Sequence, residues 1–370
     1  MRPIFSESRG TVSKQQAYVQ IFDGADKPLR MEKWPLPESL DEGEVLVKID
    51  LATICGSDLH TLSGHRPEKT PCILGHEAVG RVVRLDKARA ELAPGDRITW
   101  SIADSCGHCD PCIEYHLPQK CDALFKYGHA PNDDGTGLNG CYSSHIVLRQ
   151  GTHIVKVPDQ LVDAVVAPAN CALATMFHAV SRLPKNCRAV VIQGAGLLGL
   201  YACAILNERG VNHIFCVDIQ ERRLELVTQF GGIAIDGRSH KYAHSRQQIT
   251  AVAPRGVDAV IEVAGVAKLV QEGIRLLRPG GYYGLVGMVH PDSQLGLTGE
   301  QVIRKCLTLY GIHNYAPEHL EQAVQFLEQT VDTYPYESLV SAPVPLEQLA
   351  QGIELAKTHQ WSRVAVQAEQ

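Results

Sequence analysis

The chain has 370 residues, 45% of them apolar and 21% charged, with 32 glycines, 12 cysteines and a formal net charge of −6. A single core stops growing near roughly 250–300 residues, so two domains are expected. The mildly acidic balance argues against nucleic acid or an anionic membrane as the main partner, and no apolar stretch approaches the roughly 20 residues that cross a bilayer.

Residues 1–17 are polar and mixed in charge, and without an apolar h-region they read as a frayed extension rather than a secretory signal. The chain reads as cytoplasmic, where thiols stay reduced. Ala17–Phe22 and Glu44–Leu51 show strand-like alternation around a Pro-rich step at 35–37, and Val79–Leu85 and Pro94–Trp100 continue it. This first region predicts a mostly β domain.

Two groups of metal-ligating residue types interrupt these strands. Cys55-Gly-Ser57-Asp58-Leu-His60 and Gly75-His76-Glu77 bring a thiolate, an imidazole, a hydroxyl and carboxylates together. That donor set suits a catalytic zinc that keeps one position open. Cys106, Cys109 and Cys112, closed by Cys121, can wrap a second, structural zinc in a lobe at about 104–122. His108 and His116 in this lobe read as exposed bystanders. A Gly/Asn/Asp-rich loop at 132–140 leads to a returning strand, Ser144–Leu148. Cys72, Cys141, Cys187, Cys203, Cys216 and Cys306 read as small core residues, and spacing assigns Cys171 to neither metal group.

From about residue 172 the rhythm changes. Arg188–Gln193, His213–Asp218, Asp258–Ala264 and Gly281–Gly287 read as buried strands alternating with helices such as Leu197–Arg209, which predicts a parallel, doubly wound sheet. Gly194-Ala-Gly196-Leu197-Leu198-Gly199 joins the first of these strands to its helix as a phosphate loop. Asp218 ends the next strand, nineteen residues past Gly199. Its carboxylate accepts hydrogen bonds from an adenosine ribose and repels a 2′-phosphate, favouring NAD over NADP; Arg222 and Arg223 nearby soften that preference. Helices at Pro317–Leu327 and Leu346–Lys357 and a strand at Arg363–Gln367 return the tail to the first domain.

With these motifs in place, the chain resembles the zinc-containing medium-chain dehydrogenase/reductase family over nearly its whole length. Cys55-Gly-Ser-Asp, Gly75-His-Glu-Ala-Val-Gly80, the cysteine lobe and Gly194–Gly199 occur in the family's order. The resemblance implies an α/β fold: a GroES-like β-barrel catalytic domain (1–171) with an inserted Rossmann domain (172–309) and a C-terminal return (310–370). It implies Cys171, in Pro168-Ala-Asn-Cys, as the third ligand beside Cys55 and His76, with Glu77 either a fourth ligand at rest or an electrostatic neighbour. Asp58 would orient His76, Ser57 would carry the alcohol proton, His60 would pass it to solvent, and Thr175 would pack on the nicotinamide ring. The expected cofactors are one catalytic and one structural Zn²⁺ and NAD, with Gly194, Gly196, Leu197, Leu198, Gly199, Asp218 and Arg223 around the dinucleotide. The gap from Cys112 to Cys121 holds eight residues where many members have seven.

The implied function is oxidation of a primary or secondary alcohol to an aldehyde or ketone. A narrower resemblance, through Thr53–Gly64, Leu117–Cys121, Lys126–His129 and Pro168–Cys171, is to phosphonate-catabolism-associated alcohol dehydrogenases. Cyclic secondary alcohols and hydroxyalkylphosphonates both stand as substrates. His65, Arg66, His129 and His178 are further candidates for the pocket; an anionic substrate would need a cation such as Arg66, although solvated loop charge is the commoner role. The alternatives are an NAD-binding protein of this fold without turnover and a zinc-free reductase of carbon–carbon double bonds, which lacks the ligands present here. A small-molecule substrate and a homodimer or homotetramer, paired through edge strands near 295–310, complete the expectation.

Overall fold

Strands β1 (Gln16–Phe22), β2 (Arg30–Pro35), β3 (Val45–Ile54), β4 (Cys72–Ile73), β5 (Glu77–Leu85), β6 (Arg97–Trp100), β7 (His145–Leu148) and β8 (Ile154–Lys156) build the N-terminal half in the computed structural model. It describes residues 15–25, 27–290 and 293–368, with the side chains of 239–245 left aside. The expected frayed extension therefore lies largely outside the described residues. β1 pairs antiparallel with β2 and β4, while β3 is the spine of the larger sheet, flanked by β5 and β7. Trp100, Ile98, Tyr127 and Ile146 are fully buried inside it.

The second half holds β9 (Ala189–Gln193), β10 (His213–Asp218), β11 (Ile233–Asp236), β12 (Val257–Glu262), β13 (Leu277–Leu285) and β14 (Thr308–Gly311). They lie in the order β11-β10-β9-β12-β13-β14, every pair parallel. This order reverses between β9 and β12 and places a crevice at their C-terminal ends, where doubly wound folds bind dinucleotides. β9 is buried along its whole length because helices cover both faces of the sheet. β14 runs to Gly311, so the division expected at 309/310 falls within this strand.

The C-terminal β15 (Val344–Pro345) and β16 (Val364–Gln367) rejoin the first sheet, with Val364 opposite Ile54 and Ala365 opposite Thr53. Thr53 in turn faces Glu77 on β5. These two registers bring three distant segments to one point beside Cys55.

Two expectations are corrected. Asp163–Ser181 is one helical run of 19 residues, long and apolar enough to cross a membrane, and most of it is buried in the protein core. Its hydrophobicity is that of a core helix packed between the first sheet and the helices Leu197–Glu208 and Pro317–Thr330. Cys306 is exposed and left-handed (φ 51°), and Cys187 is only partly buried, so neither is a core thiol like Cys72, Cys141, Cys203 and Cys216.

Candidate active site

Cys55 follows β3 and caps the short helix Gly56–Leu62; His76 precedes β5 and Glu77 opens it; Cys171 lies in a π-helical turn, Ala169–Leu173. One ligand atom from each of Cys55, His76, Glu77 and Cys171 falls within 4.8 Å of the others. This donor set of two sulfurs, a nitrogen and a carboxylate fits Zn²⁺.

The surrounding groups hold that set in place. Asp58 is fully buried; its Oδ1 lies 3.3 Å from His76 Nδ1, and its Oδ2 accepts from the Cys55 N–H (2.9 Å) and the Tyr142 hydroxyl (2.8 Å). This fixes the imidazole with Nε2 free for a metal, the arrangement that makes a histidine a more basic ligand. Ser57 Oγ sits 3.3 Å from that Nε2. His60 lies one turn further along the same helix, exposed to solvent. Asn170 Nδ2 donates to the His76 and Trp100 carbonyls (3.1 and 2.9 Å), tying the Cys171 turn to the strand ends.

Glu77 is fully buried and gripped by Arg363, whose Nε and Nη2 donate to its two oxygens at 2.7 and 2.8 Å. The Thr53 hydroxyl adds a third bond at 2.6 Å, and Arg363 Nη2 also reaches Cys55 Sγ at 3.5 Å. Arg363 was not singled out from sequence; a lone arginine in the last strand carries no motif.

Electrostatics follow from this crowding. Cys55 is drawn well below an ordinary thiol by a hydrogen bond from Cys171, with Arg363 and His76 adding to it, while Cys171 as the donor is pushed up. Burial works against a charged His76, but Asp58 and Cys55 together raise it to about 10. Burial lifts Glu77 to about 7 against the pull of Arg363; the three donors around its oxygens favour the carboxylate.

The second cluster is the lobe. The sulfurs of Cys106, Cys109, Cys112 and Cys121 lie within 4.8 Å of one another, a donor set that fits tetrahedral zinc. The His108 backbone N–H leads the effects that draw Cys106 down to about 6. His108 and His116 point to solvent.

At the cofactor crevice, Gly194 (φ 113°) turns the chain and Gly199 lets the following helix approach. A Cβ on Gly199 would stand 1.9 Å from the Gly194 carbonyl oxygen. Gly196 caps the helix Leu197–Glu208. Asp218 accepts from the Ala195 N–H at 2.8 Å, and Arg223 lies 3.7 Å from the same carboxylate. Arg222 instead turns towards the Trp361 ring, 5.8 Å from its centroid. Thr175 lies in the first turn of the helix Ala174–Ser181 that follows the Cys171 turn and is partly buried.

Of the remaining pocket candidates, His129 is brought to the cluster and His178 is not. The His129 ring stacks on His76 with centroids 5.4 Å apart, and its Nδ1 lies 2.8 Å from Glu68. Burial, with the charges of Lys126, His76 and Arg66, holds it well below an ordinary histidine. His178 bonds the Asn314 carbonyl and pairs with His319. His65 is exposed beside Ser63.

Comparison with known proteins agrees with this geometry. The alcohol dehydrogenase GroES-like domain family matches residues 41–159, and the zinc-binding dehydrogenase family matches 198–329. A probable D-xylulose reductase A of Aspergillus clavatus is 30% identical, covering 81% of this chain and 83% of its own. The chain belongs to the zinc-binding alcohol dehydrogenases. Members of this family are oxidoreductases acting on CH–OH donors. An alcohol dehydrogenase of Thermotoga maritima superposes with a TM-score of 0.90 at 30% identity, over 96% of this chain and 100% of its own. The 5-exo-hydroxycamphor dehydrogenase of Pseudomonas putida is 27% identical, over 89% of this chain and 93% of its own.

Proposed function

We propose that the protein is a zinc- and NAD-dependent alcohol dehydrogenase that converts a primary or secondary alcohol to its aldehyde or ketone. The observation that carries this reading is the convergence of Cys55, His76, Glu77 and Cys171 with Ser57 against His76. Cys55, His76 and Cys171 would hold the catalytic zinc, with Arg363 keeping Glu77 occupied; Cys106, Cys109, Cys112 and Cys121 would hold a structural one. When bound, zinc supplies a Lewis acid for the alcohol oxygen and NAD supplies the hydride acceptor.

The chain's own residues do the rest. Ser57 takes the alcohol proton and His60, at the solvent end of the same helix, releases it. Asp58 keeps His76 oriented. Thr175 packs against the nicotinamide, and Gly194, Gly196 and Gly199 with Leu197 and Leu198 cradle the pyrophosphate at the helix N-terminus. Asp218 favours NAD by opposing a 2′-phosphate, with Arg223 lying alongside. Pairing through edge strands near 295–310 would give a homodimer or homotetramer.

Cyclic secondary alcohols and hydroxyalkylphosphonates are the substrate candidates. NAD⁺ reduction followed at 340 nm across small primary, cyclic secondary and phosphonate-bearing alcohols, alongside zinc analysis, tests the assignment. Turnover with one class is expected; bound zinc and NAD with no turnover would leave a non-catalytic dinucleotide-binding protein.

A further inference from the structure

Among Cys55, His76, Glu77 and Cys171, only Cys171 lies inside a helical element, and that element, Ala169–Leu173, has π pitch. A π turn departs from the favoured α ladder, and such turns collect at functional sites. Slipping back to α pitch would rotate Cys171 about the helix axis and take its sulfur off the cluster. Something outside the turn must therefore hold it.

The holding runs through Asn170, which is fully buried. Its side-chain amide donates to the His76 and Trp100 carbonyls at 3.1 and 2.9 Å, and its main-chain carbonyl accepts from the Tyr315 hydroxyl. That hydroxyl in turn accepts from the Ile102 N–H at 3.3 Å. The bonds close a ring: Trp100, at the end of β6, and Ile102 just beyond it are joined to one another through Tyr315 and Asn170. Inside a buried ring each bond strengthens its neighbours, and a missing member leaves polar groups without water to replace it.

Tyr315 reaches this ring on a segment that leaves the cofactor sheet after β14. The Ile312 N–H donates to the Leu285 carbonyl at the end of β13 (2.9 Å), His313 Nδ1 meets Lys120 Nζ of the cysteine lobe (2.5 Å), and the Asn314 carbonyl meets His178 Nδ1 (2.8 Å). Asn314 is left-handed (φ 58°), a conformation asparagine tolerates. The helix Pro317–Thr330 that follows packs against the Ala169–Leu173 turn. These contacts fix the backbone around Tyr315 without its hydroxyl. The hydroxyl is thus the part that positions Asn170, rather than the part that is positioned.

We propose that Tyr315 is a positioning residue for the catalytic metal: its hydroxyl holds Asn170, and with it the π turn, so that Cys171 meets Cys55 and His76. The proposal rests on the zinc dehydrogenase reading above and adds to it a residue supplied from beyond the cofactor sheet.

Tyr315→Phe keeps the ring and removes the hydroxyl. In the purified enzyme, release of the catalytic zinc to a chromogenic chelator should quicken about tenfold to a hundredfold, the range typical when a group supporting a metal ligand is lost. The lobe zinc should leave at the wild-type rate. Cobalt(II) exchanged into the catalytic site should show altered thiolate charge-transfer and d–d bands. With the best alcohol, kcat should fall by about tenfold or more while KM for NAD stays near wild type. Tyr315→4-aminophenylalanine, whose N–H can stand in for the hydroxyl, should restore the cobalt spectrum.

A wild-type cobalt spectrum and release rate in Tyr315→Phe overturn the proposal even if Tm falls, because the bond would then serve stability alone. A Tyr315→Phe protein that does not fold overturns it for the same reason. Spectrum and release are read without substrate. If both change as expected and neither form oxidises any alcohol, the positioning role stands and only the dehydrogenase reading falls.

Discussion

The residue with the most at stake beside the Cys55–His76–Glu77–Cys171 cluster is Arg363. It places two donors on the two oxygens of a fully buried carboxylate and a third contact on Cys55. Replacing it by Leu would leave the buried Glu77 beside Cys55 with the Thr53 hydroxyl as its remaining side-chain donor among the described residues. Removing one partner of a buried pair typically costs about 3–5 kcal/mol. Arg363→Leu should therefore lower Tm by several degrees and weaken zinc retention, measured by thermal denaturation and metal analysis of the purified variant. Arg363→Lys should not rescue it, since a lysine cannot span both oxygens. An unchanged Tm in the Leu variant would show that Glu77 finds another way to be neutral. The ligands around this pair were legible in sequence because Cys55, His76 and Glu77 sit in short motifs. Arg363 was not, because its role depends on β16 returning to β3 from 308 residues away.

At the scale of elements, the cofactor loop is a problem of space. The helix Leu197–Glu208 must start close enough to β9 for its first N–H groups to meet a pyrophosphate, and Gly199 permits that by lacking a Cβ. A methyl group there would overlap the Gly194 carbonyl at 1.9 Å, a backbone atom with no rotamer to escape into. Gly199→Ala should push the helix away from the loop and reduce NADH affinity by about tenfold or more, roughly 1.4 kcal/mol or above. NADH fluorescence titration measures this, and zinc content should stay at the wild-type level because both cysteine clusters lie on other elements. Equal NADH affinity would mean that the helix start does not position the dinucleotide. This element was readable in advance: strand, glycine turn, helix and Asp218 follow in a fixed order. The Ala169–Leu173 turn was not. Its π pitch, and the Asn170 amide that ties it to the His76 and Trp100 carbonyls, come from tertiary contacts that no local periodicity encodes. The same limit explains the 163–181 run, whose apolar length reflects the first sheet and two helices packing against it.

For the whole molecule, the histidines that the function leaves aside set how the fold responds to acid. Burial, with Lys48 nearby, pushes His145 on β7 down to about 4. Burial also lowers His178 and His319, whose rings meet at 4.8 Å between two helices; Arg182 works in the same direction on His178, and Glu318 opposes it on both. Each is neutral in the native protein and binds a proton more readily once unfolded, at an ordinary pKa of about 6.5. Their contribution is therefore complete above pH about 6.5 and is lost as pH falls below it, for His145 down towards about 4. For His145 alone the loss amounts to about 2 kcal/mol, allowing for its partial contact with solvent. Urea unfolding at pH 7.5 and pH 5 measures the effect. Wild type should lose stability between the two, and His145→Gln, which cannot take up the proton, should lose measurably less. Metal release in acid affects both proteins alike, so the difference between them isolates the histidine; equal losses would place the acid sensitivity in the metal sites instead.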